Sequence, residues 1–425
     1  MLFFLITADH TAFATSETNL EWVMAGGDSG RSYCSDLNLN SLNQLWTFTL
    51  DSHVWEYRQK MSVWSESAVA GNPDGNLRIF IGSYDHNLYC IDAKDGREIW
   101  RYTTGAAINS SPLYFRLNGK AFVLAVSTDR VVYCLDALSG KPAWTREIYP
   151  WSFTVYDAVT SSPVLAESGG MQRIILTIWY SDKKMFKPVQ KSEVLSLEPS
   201  TGVIIWRKTL GMMNVFSPVS AVINGQDKLF VTSADGNLFC LSQDSGEVLW
   251  KFTTSLQITS APVVSELGTK VYFGTMFGVY YAIDAVKGKE KWKDKLGMNI
   301  VYPGSLDQSS KTVIVPDFDR NIYAIETDGG KILWKFRCGK YNSSSPVIFK
   351  YKNRQVVLVA SLDNLLYLLD LKTGDKLWEF SLGGKLWSYD TRGQTLWPSP
   401  LVCRTNGRGL LVVPWYDGKV YAFGE

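Results

Sequence analysis

The sequence predicts an all-β fold: an eight-bladed β-propeller whose last blade is assembled from both ends of the chain. Three observations carry that expectation. A unit ending in tryptophan recurs, with its indole at Trp46, Trp100, Trp144, Trp206, Trp250, Trp292, Trp334 and Trp378. Most intervals are 42 to 44 residues, and the two longer ones, 54 and 62, carry insertions. Sixteen Trp, 21 Tyr and 34 Gly suit many short strands and tight turns rather than helices.

The elements follow in chain order. Residues 1–21 read as an N-terminal tail or a truncated signal peptide: Leu2 to Ile6 is apolar and Ala12-Phe13-Ala14 resembles a cleavage site, but no basic segment precedes them. Residues 22–425 read as a single propeller. Leu42 to Phe48 is a fourth strand with no complete unit before it. Ser83 to Trp100 then sets a frame repeated at Ser127–Trp144, Ser233–Trp250, Thr275–Trp292, Asp317–Trp334 and Ser361–Trp378.

The unit ending at Trp378 parses into strands A (Ser345–Phe349), B (Val356–Ser361), C (Leu365–Leu369) and D (Lys376–Phe380). Asp363-Asn364 makes the B–C turn and Thr373-Gly374 the C–D turn, where glycine adopts a positive φ at little cost. One such sheet cannot bury both faces, so the sheets stack radially around an axis. The final stretch, Gly409 to Phe423, is expected to supply strands A to C and to close with Leu42–Phe48.

The Asp…Gly-Lys…Trp unit resembles the tryptophan-docking repeat of the pyrroloquinoline-quinone (PQQ) type, found in quinoprotein alcohol dehydrogenases and in the outer-membrane assembly factor BamB. Trp22 to Asp28, Tyr33 and Leu45-Trp46 resemble the start of quinoprotein propellers. The resemblance spans roughly residues 22 to 425. It implies that the eight repeat tryptophans pack between neighbouring blades, and one large aromatic at a fixed place per unit reads the same way. For activity it implies little, because function lies in sites grafted on a fold.

Asp92, Asp136, Asp284 and Asp370 read as caps of the C–D turns. Cys90, Cys134 and Cys240 share a position that elsewhere holds Ala282, Ala324, Leu368 or Ala422. That interchange marks a packed interior site, not a disulfide framework or a reactive thiol. All six cysteines lack zinc spacing.

Function is expected in loops. D–A and B–C connections share one face of a propeller. Three D–A linkers are long and aromatic: one carries Trp55, Tyr57, Arg58 and Trp64; the next Trp151, Tyr156 and Asp157; the third Trp387, Tyr389, Asp390, Arg392 and Trp397. Two B–C turns add Trp179-Tyr180 and Trp415-Tyr416. Exposed aromatics with interspersed Arg and Asp have the composition of an interface or ligand cleft. The competing structural reading is that they pack on one another and order the loops.

Other features read as structural. A B–C turn aspartate recurs at 85, 129, 182, 235, 319, 363 and 417, and such residues usually bond their own backbone rather than form a carboxylate ring. His10, His53 and His86 have no metal spacing. Lys183, Lys184, Lys187 and Lys191 read as a small basic loop. A net charge of +2 without basic blocks argues against a nucleic-acid partner, and no apolar run is long enough to span a membrane.

Two functions remain. The first is a non-catalytic scaffold that holds a protein partner through aromatic loops, in a periplasmic or secreted setting, with no cofactor. The alternative is a PQQ-dependent dehydrogenase with calcium, or a degenerate cofactor-binding relative of one. The resemblance implies for that enzyme a vicinal Cys-Cys pair in many alcohol dehydrogenases and a larger chain. This sequence has no Cys-Cys, and no catalytic residue is assigned.

Overall fold

The computed structural model describes residues 34–51, 68–148, 159–184, 187–211, 216–265, 268–307, 309–342, 344–383, 399–405, 407–415 and 417–425. These residues form eight antiparallel sheets. Seven are continuous in sequence, blades 1 to 7, ending in the D strands of Trp100, Trp144, Trp206, Trp250, Trp292, Trp334 and Trp378. The eighth is split. Leu401–Thr405, Arg408–Pro414 and Lys419–Gly424 supply strands A to C, and Asn43–Thr49 supplies strand D. The register runs from Asn43 opposite Gly424 to Thr49 opposite Lys419. The sequence reading placed all three C-terminal strands within Gly409–Phe423. The A strand lies earlier, at Leu401–Thr405, and Gly409 already belongs to strand B.

Every blade but the third follows the predicted four-strand pattern. In blade 7 the strands are Val347–Tyr351, Arg354–Ser361, Leu365–Asp370 and Lys376–Ser381. B and C strands are buried on both faces because each lies between two neighbouring sheets. D strands alternate, as an outer edge with one wet face must. A strands of successive blades contact one another, so their edges converge on the axis.

The repeat tryptophans bridge neighbouring blades. The indole N–H of Trp46 donates to the Ala93 carbonyl of blade 1 at 3.0 Å, and that of Trp334 to Leu371 of blade 7 at 2.8 Å. Trp100, Trp144, Trp206 and Trp292 repeat the bond. Seven of the rings, all but that of Trp378, also lie on the C–D glycine of the next blade. A Cβ added to Gly374, whose φ is +76°, would sit 2.7 Å from the Trp334 ring. The turn therefore needs glycine twice, for its backbone and for the indole above it.

One strand has no counterpart in the sequence reading. Cys34–Leu39 pairs in parallel with Val347–Tyr351, adding a fifth strand to the axial edge of blade 7. Leu37 and Leu39 are fully buried, and Leu39 fills the space beside Gly409. The chain then turns into the closing blade, where Asn40 N–H donates to Glu425 Oε1 at 2.8 Å.

Around the axis, residues just before strand A hydrogen-bond between neighbouring blades at three junctions. Ser111 N–H donates to Ser162 Oγ (3.0 Å), Ser162 N–H to Ser217 Oγ (3.0 Å), and Ser345 N–H to Ser399 Oγ (3.1 Å). These bonds join blade 2 to 3, 3 to 4 and 7 to 8. The Ser-Pro pairs at 111, 162, 217, 345 and 399 were a legible signal that the sequence reading did not use.

Candidate interaction face

The two faces of the ring differ in what their connections are used for. On the C–D side the turns are taken up by the fold. Asp92 Oδ1 accepts the N–H of Lys94 (2.8 Å), Asp136 that of Ser139 (2.8 Å), Asp284 that of Lys287 (2.8 Å) and Asp370 that of Lys372 (2.9 Å). The glycine beyond lies under an indole, as above.

On the B–C side four of the turn aspartates are committed in the same way. Asp85 Oδ1 accepts Asn87 N–H at 2.9 Å, and its Oδ2 accepts the Tyr89 hydroxyl at 2.5 Å. Asp129 with Tyr133, Asp363 with Tyr367 and Asp417 with Tyr421 repeat both bonds. Burial, then the bond to Asp129, pushes the Tyr133 phenol up to about 12. In blade 6 the role passes from Asp319 to Asp317, which accepts Asn321 N–H at 2.8 Å. Asp182 departs from the expected turn position: it lies in a strand, opposite Val189. A calcium ion beside a quinone needs carboxylate oxygens turned toward one point. Asp85, Asp363 and Asp417 are bonded within their own turns, Asp129 accepts the Gly105 N–H of the preceding linker as well, and no cluster of three His, Cys, Asp or Glu that could hold a metal occurs among the described residues. They do not fit that group.

The thiols are no better placed for chemistry. Cys90, Cys134, Cys240, Cys338 and Cys403 are buried and unpaired in disulfides. Burial pushes Cys90 and Cys240 up to about 12, well away from thiolate reactivity at neutral pH.

Blade 3 breaks the pattern. Its B strand, Met171–Lys184, and C strand, Lys187–Leu197, continue as one ribbon. By register, Ile178 opposite Glu193 is where other blades turn, yet pairing continues through Trp179–Ser192 to Lys184–Lys187. At about 3.4 Å per residue the ribbon extends roughly 20 Å beyond its neighbours. Lys183, Lys184, Lys187 and Lys191 are thus on strands, not in the loop expected. The reason is that two polar runs of compatible register zip onto the end of an existing antiparallel pair. Trp179 is half-buried, and its indole N–H finds no hydrogen-bond partner among the described residues. Of Tyr180 the backbone alone is described.

Of the other expected interface residues, Trp415 is corrected: it is 2 % exposed and belongs to the core of the closing blade. Its position is the Ser, Thr or Asp position of other blades, so the repeat could have shown that it points inward. Trp55, Tyr57, Arg58, Trp64, Trp151, Tyr156, Asp157, Trp387, Tyr389, Asp390, Arg392, Trp397 and Tyr416 lie outside the described residues. The roots of their linkers are described. Asp51 is bonded by Arg101, and its N–H donates to the Tyr89 hydroxyl at 3.2 Å. The Ile148 carbonyl accepts from Arg207, which also holds the buried Glu193 at 2.8 Å. Leu382 N–H donates to Asn364 O at 2.7 Å.

Comparison with known proteins gives one family model, described as outer membrane protein assembly factor BamB. It matches residues 31–172, 190–298, 267–385 and 303–423. BamB of Yersinia pestis is 23% identical over 216 residues, 47% of this chain and 54% of that protein. A quinoprotein ethanol dehydrogenase of Pseudomonas aeruginosa is 32% identical over 70 residues, which is 16% of this chain and only 11% of that enzyme. Among solved structures, the quinohemoprotein alcohol dehydrogenase of Comamonas testosteroni superposes with a TM-score of 0.70 at 13% identity, covering 95% of this chain and 80% of that one. BamB of Moraxella catarrhalis gives 0.61 at 15% identity, covering 90% and 100%. At such identities the structural likeness shows the fold alone.

Proposed function

Since the chain belongs to the PQQ-type repeat propeller family whose model is described as outer membrane protein assembly factor BamB, we propose that it is a non-catalytic scaffold holding a protein partner on its B–C/D–A face. The observation that supports this is the asymmetry of the ring. The C–D connections are taken up by caps and indoles, whereas the opposite face bears a ribbon that continues past the point where other blades turn. A two-stranded ribbon is marginal in water on its own, and a bound partner would cover it. The aromatic linkers at Trp55, Trp151 and Trp387 are proposed as part of the same interface. An envelope or extracellular complex is the proposed setting, by analogy with the family's namesake.

The test uses two variants of the full chain. In one, residues 180–191 are replaced by a short Asp-Gly turn. In the other, Trp55, Trp151 and Trp387 become Ser. Partners retained from the native source are quantified by mass spectrometry, with melting temperature as the control for folding. A specific partner is expected to be lost with the melt unchanged. If both variants keep the full set of partners, the scaffold reading is wrong.

A further inference from the structure

A second surface on the same face breaks the repeat in the opposite direction, by adding apolar groups where the fold has use for polar ones. In the described B–C turns of blades 1, 2, 4, 6, 7 and 8 the third turn position is Asp85, Asp129, Asp235, Asp319, Asp363 or Asp417. In blade 5 it is Phe277, and 59 % of it is exposed. The turn is closed instead by Thr275, whose Oγ1 accepts Val279 N–H at 3.1 Å. An exposed phenylalanine there contributes nothing to the turn, and it places apolar surface in water.

Phe277 is not alone. Met276 beside it is exposed, and Met298, on the linker that leaves blade 5, is 60 % exposed. Backbone, side-chain and ring contacts link these residues along an arc. Lys295 donates to the Phe277 carbonyl, and the Met298 carbonyl lies against Gly278. Phe318 N–H donates to Asn299 O at 2.8 Å. The Phe318 ring stacks on exposed Tyr341 with centroids 4.8 Å apart. The arc thus crosses the turns of blades 5 and 6 and the linkers that follow them. The exposed apolar residues of the D strands differ. Leu45, Ile99, Ile205, Leu249, Leu333 and Leu377 precede the repeat tryptophan in six of the blades, with Val203, Val248 or Ile332 close to three of them, and are dispersed around the rim. Scattered singles need no explanation, but a contiguous patch does.

The charge beside the arc selects the occupant. Lys295, Arg320, Arg337 and Lys340 flank it, against Asp294 and Asp319. Asp317 and Asp363 are directed into their own turns. Asp294 accepts the N–H of Lys295 at 2.8 Å. Among the described residues none of the four cations is ion-paired; Arg320 and Lys295 reach only carbonyl oxygens.

We propose that the arc of Met276, Phe277, Met298, Phe318 and Tyr341 is a docking surface for an extended segment of a partner protein in which apolar side chains alternate with carboxylates. The apolar groups cover the exposed rings and thioethers, and the carboxylates meet the flanking cations. This rests on the scaffold reading above and gives that face a second, chemically defined contact.

Binding is read by fluorescence anisotropy on the intact protein. One probe is a labelled synthetic peptide alternating Leu or Phe with Glu. The other has Lys in place of Glu. The acidic peptide is expected to bind, more weakly as salt rises, and the basic one to bind at least about tenfold less well. Phe277→Asp, which installs the residue of the other turns and so preserves the fold, is expected to weaken binding about tenfold, as is Lys295→Glu with Lys340→Glu. Absence of binding, equal binding of the two peptides, or binding unchanged by Phe277→Asp overturns the proposal. If the ribbon and linker variants lose the native partner while the arc variants leave peptide binding unchanged, the arc fails and the scaffold reading stands. Peptide binding that depends on Phe277, with partners unchanged in the ribbon and linker variants, is the reverse outcome.

Discussion

Asn87 and Thr103 face each other across strands C and D of blade 1, and the Thr hydroxyl donates to Asn87 Oδ1 at 2.7 Å. Asn237 and Thr253 repeat the pair in blade 4 at 2.8 Å. In blade 6 the same register sets Asn321 opposite Arg337, and the buried Asn321 Oδ1 has no partner. Arg337→Thr is therefore expected to supply the missing donor. A net gain of about 1 kcal/mol follows if the geometry of the other blades is reproduced. A guanidinium unfolding midpoint that does not rise would contradict this. The Asn–Thr spacing is constant in the sequence, yet only the cross-strand register gives it meaning. The turn aspartates and interior cysteines were readable without it, because substitution between repeats already shows which positions are buried.

Among the elements, the C–D turn is the most uniform, and it was read correctly down to its capping residue. Asp284 shows how it works. Burial raises its pKa, but the N–H of Lys287 and the Lys291 ammonium, 3.0 Å away, more than offset this and hold it below the ordinary 3.8. A carboxylate with a depressed folded pKa contributes stability above its unfolded value, and that contribution is lost as pH falls through the folded one. Stability should thus decline as pH falls from about 5 through the folded value, which lies below 3.8, and less steeply in Asp284→Asn. Parallel declines in denaturant midpoints for the two proteins would refute the assignment. The blade 3 ribbon was less legible. Lys183-Lys184 and Pro188 obscure the alternation of a strand, and the pairing that extends it is inherited from the strands below.

For the whole molecule, the Trp spacing fixed the number of blades and the split of the last one. The parallel strand Cys34–Leu39 escaped notice because half of its six residues are polar, without a run of apolar ones, and its partner lies some three hundred residues away. It is nonetheless part of the core: Leu39 is fully buried against Gly409. Leu39→Ala should cost about 3 kcal/mol. It should also quicken proteolysis of the closing blade, where ring opening begins if this strand secures the seam. An unchanged midpoint and unchanged cleavage would show that the seam holds without it.

The split blade also sets a clock. Thr49 waits for Lys419, and Leu39 for Tyr351, so the strands made early have no partner while the intervening blades are synthesised. At ordinary translation rates that interval is on the order of half a minute. Throughout it a nascent chain exposes two unpaired strand edges, one of them beside buried leucines. Those edges stay open until the seam can shut, so a translational pause placed anywhere between Thr49 and Lys419 lengthens the exposure and should raise aggregation of the nascent chain.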